Sequence, residues 1–236
     1  MREAMEQIKY RNELKYLCSE QQLRLMEMRI KHLCRPDPHA GADGCYTVRS
    51  LYFDDNWNSC YYDNENGVDH REKFRIRFYD DRNDMVTLEC KEKRHGKNHK
   101  YACSMGREQC EEILRGQFQV PENASPVLNR LFLKYRTQCY RPKVIVEYER
   151  TPYLCRVGNV RITFDRNIAA SSHVWDFFSP RLAARPMMPE GMQLLEIKYD
   201  ELFPEYLYHE MQLARLQLTS YSKYYMARRF TADFCI

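Results

Sequence analysis

Residues 72–81 read EKFRIRFYDD, and charged and apolar side chains alternate one by one along most of this stretch. Its basic positions are Lys73, Arg75 and Arg77, and the apolar positions between them are Phe74, Ile76 and Phe78. Strict alternation with a period of two predicts a β-strand with one apolar face and one charged face. The charged face could look at bulk water or at an enclosed polar space that holds an anion.

The same alternation recurs along the chain and predicts further strands. They cover residues 8–17, 46–55, 85–93, 144–153, 159–168 and 194–200. The assigned polar positions are almost all Glu, Lys or Arg: Glu13, Lys15, Glu89, Lys91, Lys93, Glu147, Glu149, Arg161, Thr163, Asp165, Glu196 and Lys198. A solvated sheet face normally mixes Ser, Thr, Asn and Gln among its charges. The composition therefore favours a sheet curled into a barrel, with the charges inside and helices on the apolar outside.

Helical patterns fall between the strands. Ser19 and Gln22 form a capping box before a helix over 19–33, and Ser125 with Pro126 begins a helix over 125–136. Two closing helices are predicted over 203–218 and 220–230, and loops over 35–44, 94–100 and 179–191. This pattern predicts an α+β fold with a largely antiparallel sheet, in a single domain over residues 1–236.

The totals exclude some classes of function. The 236 residues carry 37 Lys and Arg against 33 Asp and Glu, a net charge of +4, so a general nucleic-acid binder is not indicated. The ten cysteines show neither C-x-x-C pairs nor zinc-ligand spacing, and the amino-terminal segment has no apolar core of a signal peptide. We therefore expect free thiols and a cytoplasmic location. No apolar run reaches the roughly 20 residues of a membrane span, so membrane association would require a membrane-protein partner.

Seven motifs in order resemble a known family. They are YRNELKYL, FRIRFY, LECKEKRHGKNHK, VIVEYERTPY, VRITFD, LLEIKYD and SYSKYY. The set resembles the VTC domain, the polyphosphate polymerase domain of the vacuolar transporter chaperone family, in the triphosphate tunnel metalloenzyme (CYTH-like) superfamily. The resemblance implies a tunnel of antiparallel strands and the synthesis of polyphosphate from ATP with a divalent metal, Mn²⁺ or Mg²⁺.

The resemblance also implies roles for particular residues. The catalytic set by position is Lys15, Arg75, Arg77, Lys91, Arg161 and Lys223. Either Lys97 or Lys100 supplies the lysine of the segment after Lys91, and Glu196 is the metal ligand. Glu13, Lys198 and Ser222 complete the substrate-binding set. Ser222 and Lys223 begin a helix, whose amino terminus favours an anion.

The sequence leaves two interpretations for some residues and more than one for the function. Glu147, Glu149 and Lys198 are either structural partners in the tunnel wall or substrate contacts, and Lys73 and Lys93 are expected to be peripheral. Arg11 replaces the first glutamate of the E-x-E-x-K element of the superfamily, which favours a polymerase over a triphosphatase. A hydrolase with water as the acceptor and a non-catalytic polyphosphate-binding subunit remain the alternatives. The oligomeric state is not predicted.

Overall fold

The computed structural model describes residues 11–80, 82–95 and 97–231, without the side chains of residues 97 and 98. These residues form an antiparallel sheet with helices packed against it, so the predicted α+β class is confirmed. The long strands are β1 (Asn12–Ser19), β3 (Tyr46–Asp54), β4 (Arg71–Tyr79), β5 (Arg82–Arg94), β6 (Lys97–Gly106), β7 (Arg141–Cys155), β8 (Val160–Ser171) and β10 (Met192–Tyr199). The short strands are β2 (Arg35–Pro36), β9 (Arg185–Pro186) and β11 (Gln217–Leu218).

The described residues form six α-helices, two of which begin at the serine caps that the sequence predicts. They are α1 (Glu20–Ile30), α2 (Ser59–Glu65), α3 (Arg107–Leu114), α4 (Pro126–Thr137), α5 (Glu205–Glu210) and α6 (Lys223–Thr231). The predicted capping box is present: the Gln22 amide donates to Ser19 Oγ at 3.2 Å, and the Ser19 amide donates to Gln22 Oε1 at 2.8 Å. Ser125 Oγ accepts a hydrogen bond from the Leu128 amide at the start of α4.

The sheet curls until its distant strands meet through their side chains. The strand order is β11-β1-β10-β8-β7-β3-β4-β5-β6, with β2 added to β7 and β9 added to β8. Six strand spacings of about 4.8 Å separate β1 from β5, so a flat sheet would hold them roughly 29 Å apart. Lys91 Nζ on β5 nevertheless lies 2.7 Å from Glu13 Oε2 on β1. The described strands thus enclose a space although the backbone pairing does not close into a complete barrel.

The apolar faces of the strands pack outward against the helices. Phe74 and Ile76 of β4 and Leu88 of β5 are fully buried in one large apolar cluster, which includes Leu131 of α4 and Ile113 of α3. A second cluster joins α1 to the opposite part of the sheet through Leu23, Met26, Ile30, Ile162 and Ile197. Apolar burial on the outside leaves the alternate, charged side chains inside, as the sequence predicted.

Some predicted elements are wrong or shorter. Residues 94–100 were expected to be a loop, but β6 begins at Lys97 and pairs with β5 from Met85 to Arg94. The helix predicted over 203–218 ends at Glu210, and Gln212 has a φ of 51° that interrupts it. Residues 8–10 of the first predicted strand lie outside the described residues. No described helix has the length and hydropathy needed to cross a bilayer.

Candidate functional site

The charged faces of the strands surround a cavity of about 990 Å³. Among the described residues that line it, thirteen are lysine or arginine and three are glutamate. The basic positions of the opening stretch, Lys73, Arg75 and Arg77, all line this cavity. The charged face of that strand therefore looks into an enclosed, strongly cationic space, which by its charge attracts polyanions.

One side of the cavity, which we call the basic wall, is formed by β4, β5 and β6. Its charged lining residues are Arg71, Lys73, Arg75, Arg77, Glu89, Lys91, Lys93 and Lys100. The other side, the paired wall, is formed by β7, β8, β10 and the start of α6. Its charged residues are Arg150, Arg161, Lys198, Lys223 and Glu196, with Asp165 buried behind them. Both walls contain lysine, arginine and carboxylate side chains. Among these described residues, the basic wall has seven cationic residues for one carboxylate, and the paired wall has four for two.

Glu89 organises the centre of the basic wall. Its carboxylate lies 2.8 Å from Arg75 Nη2, 2.5 Å from Arg77 Nη2 and 2.5 Å from Lys100 Nζ. Burial raises the pKa of Glu89, but the surrounding cations outweigh it and lower the pKa to about 2. An ionised Glu89 thus holds three cationic groups together, and these groups can turn toward an anionic ligand.

Strands β1 and β10 carry a checkerboard of charges. Glu13 is directly opposite Lys198, and Lys15 is directly opposite Glu196. Glu196 Oε1 lies 2.6 Å from Lys198 Nζ. Burial raises the pKa of Glu196, but the lysines and Arg150 lower it well below its usual range. Burial also raises the pKa of Glu13, and nearby lysines lower it to about 2. Both carboxylates are therefore ionised.

Asp165 on β8 anchors the paired wall. Its carboxylate accepts two hydrogen bonds from Arg150, at 2.6 and 2.7 Å, and one from Lys223 Nζ at 2.6 Å. All three side chains are nearly or fully buried. Burial lowers the pKa of Lys223, but Asp165 outweighs it and raises the pKa above its usual value. Ser222 precedes α6, and its Oγ accepts a hydrogen bond from the Tyr225 amide at 3.4 Å.

Arg161 of the paired wall and Lys15 of β1 also line the cavity. Arg161 Nη2 lies 3.0 Å from Asp37 Oδ2 and donates to the Tyr46 hydroxyl at 2.9 Å. Lys15 Nζ donates to the Tyr221 carbonyl oxygen at 2.9 Å and lies 3.2 Å from Glu13. These partners hold both cations in place in the absence of a ligand.

The structure brings almost all of the predicted site residues together. Those that line the cavity are Lys15, Arg75, Arg77, Lys91, Arg161, Lys223, Glu13, Lys100, Lys198, Ser222 and Glu196. The side chain of Lys97 lies outside the described part of the chain. The structure therefore shows that Lys100 lines the cavity and does not compare it with Lys97. The structure places these residues; their roles in binding and catalysis stay predictions.

Two expectations from the sequence are wrong. Glu147 and Glu149 do not line the cavity: the neighbouring Tyr148 and Arg150 do, and Glu147 instead pairs with Arg49 at 2.5 Å on the other face of the sheet. The prediction failed because Tyr148 was counted as apolar, so its face of the strand was assigned to the outside. In the structure Tyr148 lines the cavity.

Lys73 and Lys93 were expected to be peripheral, but both line the cavity. Lys73 Nζ donates to Asn64 Oδ1 at 2.6 Å and to Ser222 Oγ at 3.0 Å. Burial, with a smaller contribution from Arg71, lowers the pKa of Lys73 to about 7. The sequence did contain a signal for Lys73: it alternates with Arg75 and Arg77, so it lies on the same face of the strand as these two predicted site residues.

A family model and one solved structure agree with this architecture. The family model of the VTC domain matches residues 10–231, so the chain belongs to the VTC domain family. No curated protein matches the chain. Among solved structures, a candidate adenylate cyclase (bh2851) from Bacillus halodurans superposes with a TM-score of 0.53 at 14% identity, covering 95% of this chain and 98% of that chain. The PH1819 protein from Pyrococcus horikoshii OT3 gives a TM-score of 0.47 at 12% identity, covering 93% and 98%.

Two glutamates of the cavity have the chemistry of ligands for the divalent metal expected in this family. Glu13 and Glu196 offer ionised carboxylate oxygens, which are the ligands that Mg²⁺ and Mn²⁺ prefer, with phosphate and water oxygens completing the shell. The predicted ligand Glu196 therefore fits a divalent metal, although Lys198 Nζ, at 2.6 Å, must share or release the carboxylate.

A second group could hold a metal by distance alone. His70, Glu72 and Glu92 have ligand atoms within 4.8 Å of one another. Glu72 and Glu92 alternate with the cavity residues of β4 and β5, so they lie on the other face of the sheet. Arg130 of α4 forms ion pairs with both carboxylates. This group therefore acts as an ion-pair cluster between the sheet and α4, and we assign no metal to it.

Proposed function

We propose that the protein is a polyphosphate polymerase that transfers the γ-phosphate of ATP to a growing polyphosphate chain in a metal-dependent reaction. The observation that carries this proposal is the cavity lined by thirteen Lys and Arg residues and three Glu residues. Such an excess of cationic donors in an enclosed space suits a ligand with many phosphates. Family membership supports the coarser statement that the protein acts on triphosphate or polyphosphate.

In this proposal, the basic residues position the reacting phosphates. Arg75 and Arg77 have planar guanidinium groups, each of which can donate two parallel hydrogen bonds to two oxygens of a phosphate. Lys91 and Lys100 lie beside them. Arg161, Lys15 and Lys223 approach from the other side of the cavity. No general base is required because the terminal phosphate oxygen of the acceptor is already anionic at neutral pH. Positioning and electrostatic stabilisation of the transferring phosphoryl group therefore account for catalysis.

Glu196, with Glu13 beside it, would hold the divalent metal, Mn²⁺ or Mg²⁺. When bound, such a metal neutralises charge on the phosphate oxygens. Lys198 and Lys15 hold the two carboxylates in position and keep them ionised. Glu13, Lys198 and Ser222 complete the substrate-binding set, and Ser222 lies at the start of α6, where the helix dipole favours an anion.

Two other functions use the same cavity. With water as the acceptor, the protein would be an inorganic or nucleoside triphosphatase. Without turnover, it would be a polyphosphate-binding subunit, with a membrane-protein partner that supplies or removes the chain. Nucleic-acid binding is disfavoured because the cavity is enclosed and three carboxylates share its basic lining.

Incubation of the purified protein with ATP and Mn²⁺ tests these alternatives. Long-chain polyphosphate and released orthophosphate are measured on the same samples, by gel and by a colorimetric assay. A ladder of long chains together with ADP supports the polymerase. Orthophosphate alone assigns the protein to the triphosphatases, and tight polyphosphate binding without either product identifies a binding subunit. In the same assay Arg77→Met, which removes a cavity arginine, should lose the product, and Arg24→Met, on the exposed side of α1, is its matched control.

A further inference from the structure

Three lysines lie directly opposite one another across the basic wall. In the register of the sheet, Lys73 on β4 is opposite Lys91 on β5, and Lys91 is opposite Lys100 on β6. Like charges directly opposite each other destabilise a sheet. A row of three therefore requires anionic groups that offset the repulsion, either from the protein or from a ligand.

Two of the three lysines have a carboxylate partner. Lys91 Nζ lies 2.7 Å from Glu13 Oε2, and Lys100 Nζ lies 2.5 Å from Glu89 Oε1. Lys73 makes no ion pair with any carboxylate of the described residues. The protein thus pairs two positions of the row with carboxylates and leaves the third without one among the described residues.

The partners of Lys73 are neutral and come from two other elements. Asn64 at the end of α2 accepts at 2.6 Å, and Ser222 before α6 accepts at 3.0 Å. An ammonium group has three N–H donors. Two of them fix the lysine between the helices, and the third is available to a ligand in the cavity that Lys73, Asn64 and Ser222 all line.

The position of Lys73 along β4 indicates the kind of ligand. Arg77, Arg75, Lys73 and Arg71 follow one another at every second residue and all line the cavity. Six residues of a strand span about 20 Å, so these side chains form a long cationic track. Glu89 holds the Arg75 and Arg77 end of the track, whereas the Lys73 end extends past it toward α2 and α6. A long linear anion fits this track better than a compact one.

We propose that Lys73, Asn64 and Ser222 form a subsite for a further phosphate of a linear phosphate chain, beyond the phosphates held by Arg75 and Arg77. Lys73 contributes a charge-assisted hydrogen bond, and Asn64 and Ser222 orient its ammonium group. The inference rests on the proposed function in one respect, namely that the ligand is a phosphate chain. It does not depend on whether the chain is synthesised, hydrolysed or only bound.

Binding of two probes, without nucleotide and at one fixed salt concentration, tests the subsite. The probes are inorganic triphosphate and long-chain polyphosphate. Because a hydrogen bond between a charged donor and a phosphate is among the strong ones, Lys73→Met should weaken binding of the long chain by roughly tenfold or more. Binding of triphosphate should change by less than about twofold. Lys73→Arg should restore most of the affinity for the long chain.

The control variant is Lys31→Met, which removes the same charge from an exposed position at the end of α1. It should change binding of neither probe by more than about twofold. Equal losses for the two probes in Lys73→Met, or no loss in either, would overturn the subsite. A wild-type protein that binds neither probe would overturn the proposed function together with the subsite.

Asn64→Asp gives a second, independent test with the lysine still present. The new carboxylate would pair with Lys73, as Glu13 pairs with Lys91, and would repel a phosphate at the subsite. Long-chain affinity should therefore fall while triphosphate affinity is retained. Unchanged long-chain affinity in Asn64→Asp, in a protein with wild-type thermal stability, would contradict the assigned position of the phosphate.

Discussion

The two walls of the cavity contain the same kinds of side chain but balance their charges differently. In the paired wall, Asp165 accepts hydrogen bonds from both Arg150 and Lys223, and Lys198 holds Glu196. In the basic wall, Glu89 is the one carboxylate among seven described lysines and arginines that line the cavity. Every cation of the paired wall has a carboxylate partner, with Arg161 paired to Asp37, whereas Lys73 of the basic wall has none among the described residues. We therefore expect ion pairing to stabilise the paired wall and a ligand to bind at the basic wall.

The largest effect on stability is expected from breaking the paired wall. Asp165→Asn keeps the shape of the side chain but leaves the buried Arg150 and Lys223 without their shared carboxylate. Loss of one partner of a buried ion pair typically costs about 3–5 kcal/mol in the free energy of unfolding. Urea denaturation would measure this loss.

The matched control for Asp165→Asn is Glu111→Gln, which removes a carboxylate shared by Arg107 and Arg115 on α3. Because Arg115 is exposed and Arg107 is partly exposed, the loss should cost about 1 kcal/mol or less. Equal losses in the free energy of unfolding would show that the buried ion pairs of the paired wall contribute no more to stability than the control ion pairs.

In the basic wall, by contrast, a substitution should remove activity and spare the fold. Arg77→Met leaves Glu89 paired with Arg75 and Lys100, so no buried charge is left alone. Removal of a donor that stabilises a transition state typically lowers kcat by about 10²–10³-fold. Turnover of ATP and thermal unfolding are measured on the same preparation. An unfolded Arg77→Met protein would refute the view that this wall is built for a ligand.

The proposed metal ligand Glu196 belongs to the paired wall and lines the cavity, and its loss should have an intermediate effect. Glu196→Gln removes the negative charge while keeping the hydrogen-bonding shape. The concentration of Mn²⁺ needed for half-maximal activity should rise about tenfold or more, since a ligand of the metal has lost its charge. Direct Mn²⁺ binding by electron paramagnetic resonance, in the presence of inorganic triphosphate, provides a readout independent of turnover. Unchanged Mn²⁺ affinity would exclude Glu196 as a ligand.

The sequence predicted the basic wall better than the paired wall, for a physical reason. In β4, the basic and apolar residues alternate without exception from Lys73 to Phe78, so the face that points inward follows from the apolar face that must be buried. In β7, both faces carry charge: Glu147 and Glu149 lie outside, and Arg150 lies inside beside Tyr148. Alternation alone cannot choose between two charged faces.

Contacts between distant segments were the other part that the sequence could not give. The partners of Lys73 come from the ends of α2 and α6, and α2 was not predicted at all. No spacing along the chain relates Asn64 to Ser222. Their meeting follows from the curl of the sheet, which brings residues of very different sequence positions to one end of the cavity.

The smallest expected effect is a gain in stability at Lys73. Burial lowers its pKa to about 7 in the folded protein, far below the value of about 10.4 in an unfolded chain. Between these two values, the unfolded state binds the extra proton, so the stability contributed by this group rises with pH through that window and is lowest below pH 7. Lys73→Met removes this penalty but also the hydrogen bonds to Asn64 and Ser222, which offset most of the gain, so the Tm at pH 7 should rise by only about 2–4 °C, equivalent to about 1 kcal/mol.

The gain from Lys73→Met should shrink as the pH increases from 7 toward 10, because the wild-type lysine then loses its proton in the folded state. Thermal unfolding of both proteins at several pH values measures the difference. Lys31→Met, whose lysine is exposed, should show no such dependence. A lower Tm for Lys73→Met at pH 7 would mean that the lysine stabilises the empty cavity, and the basic wall would then be as complete without a ligand as the paired wall.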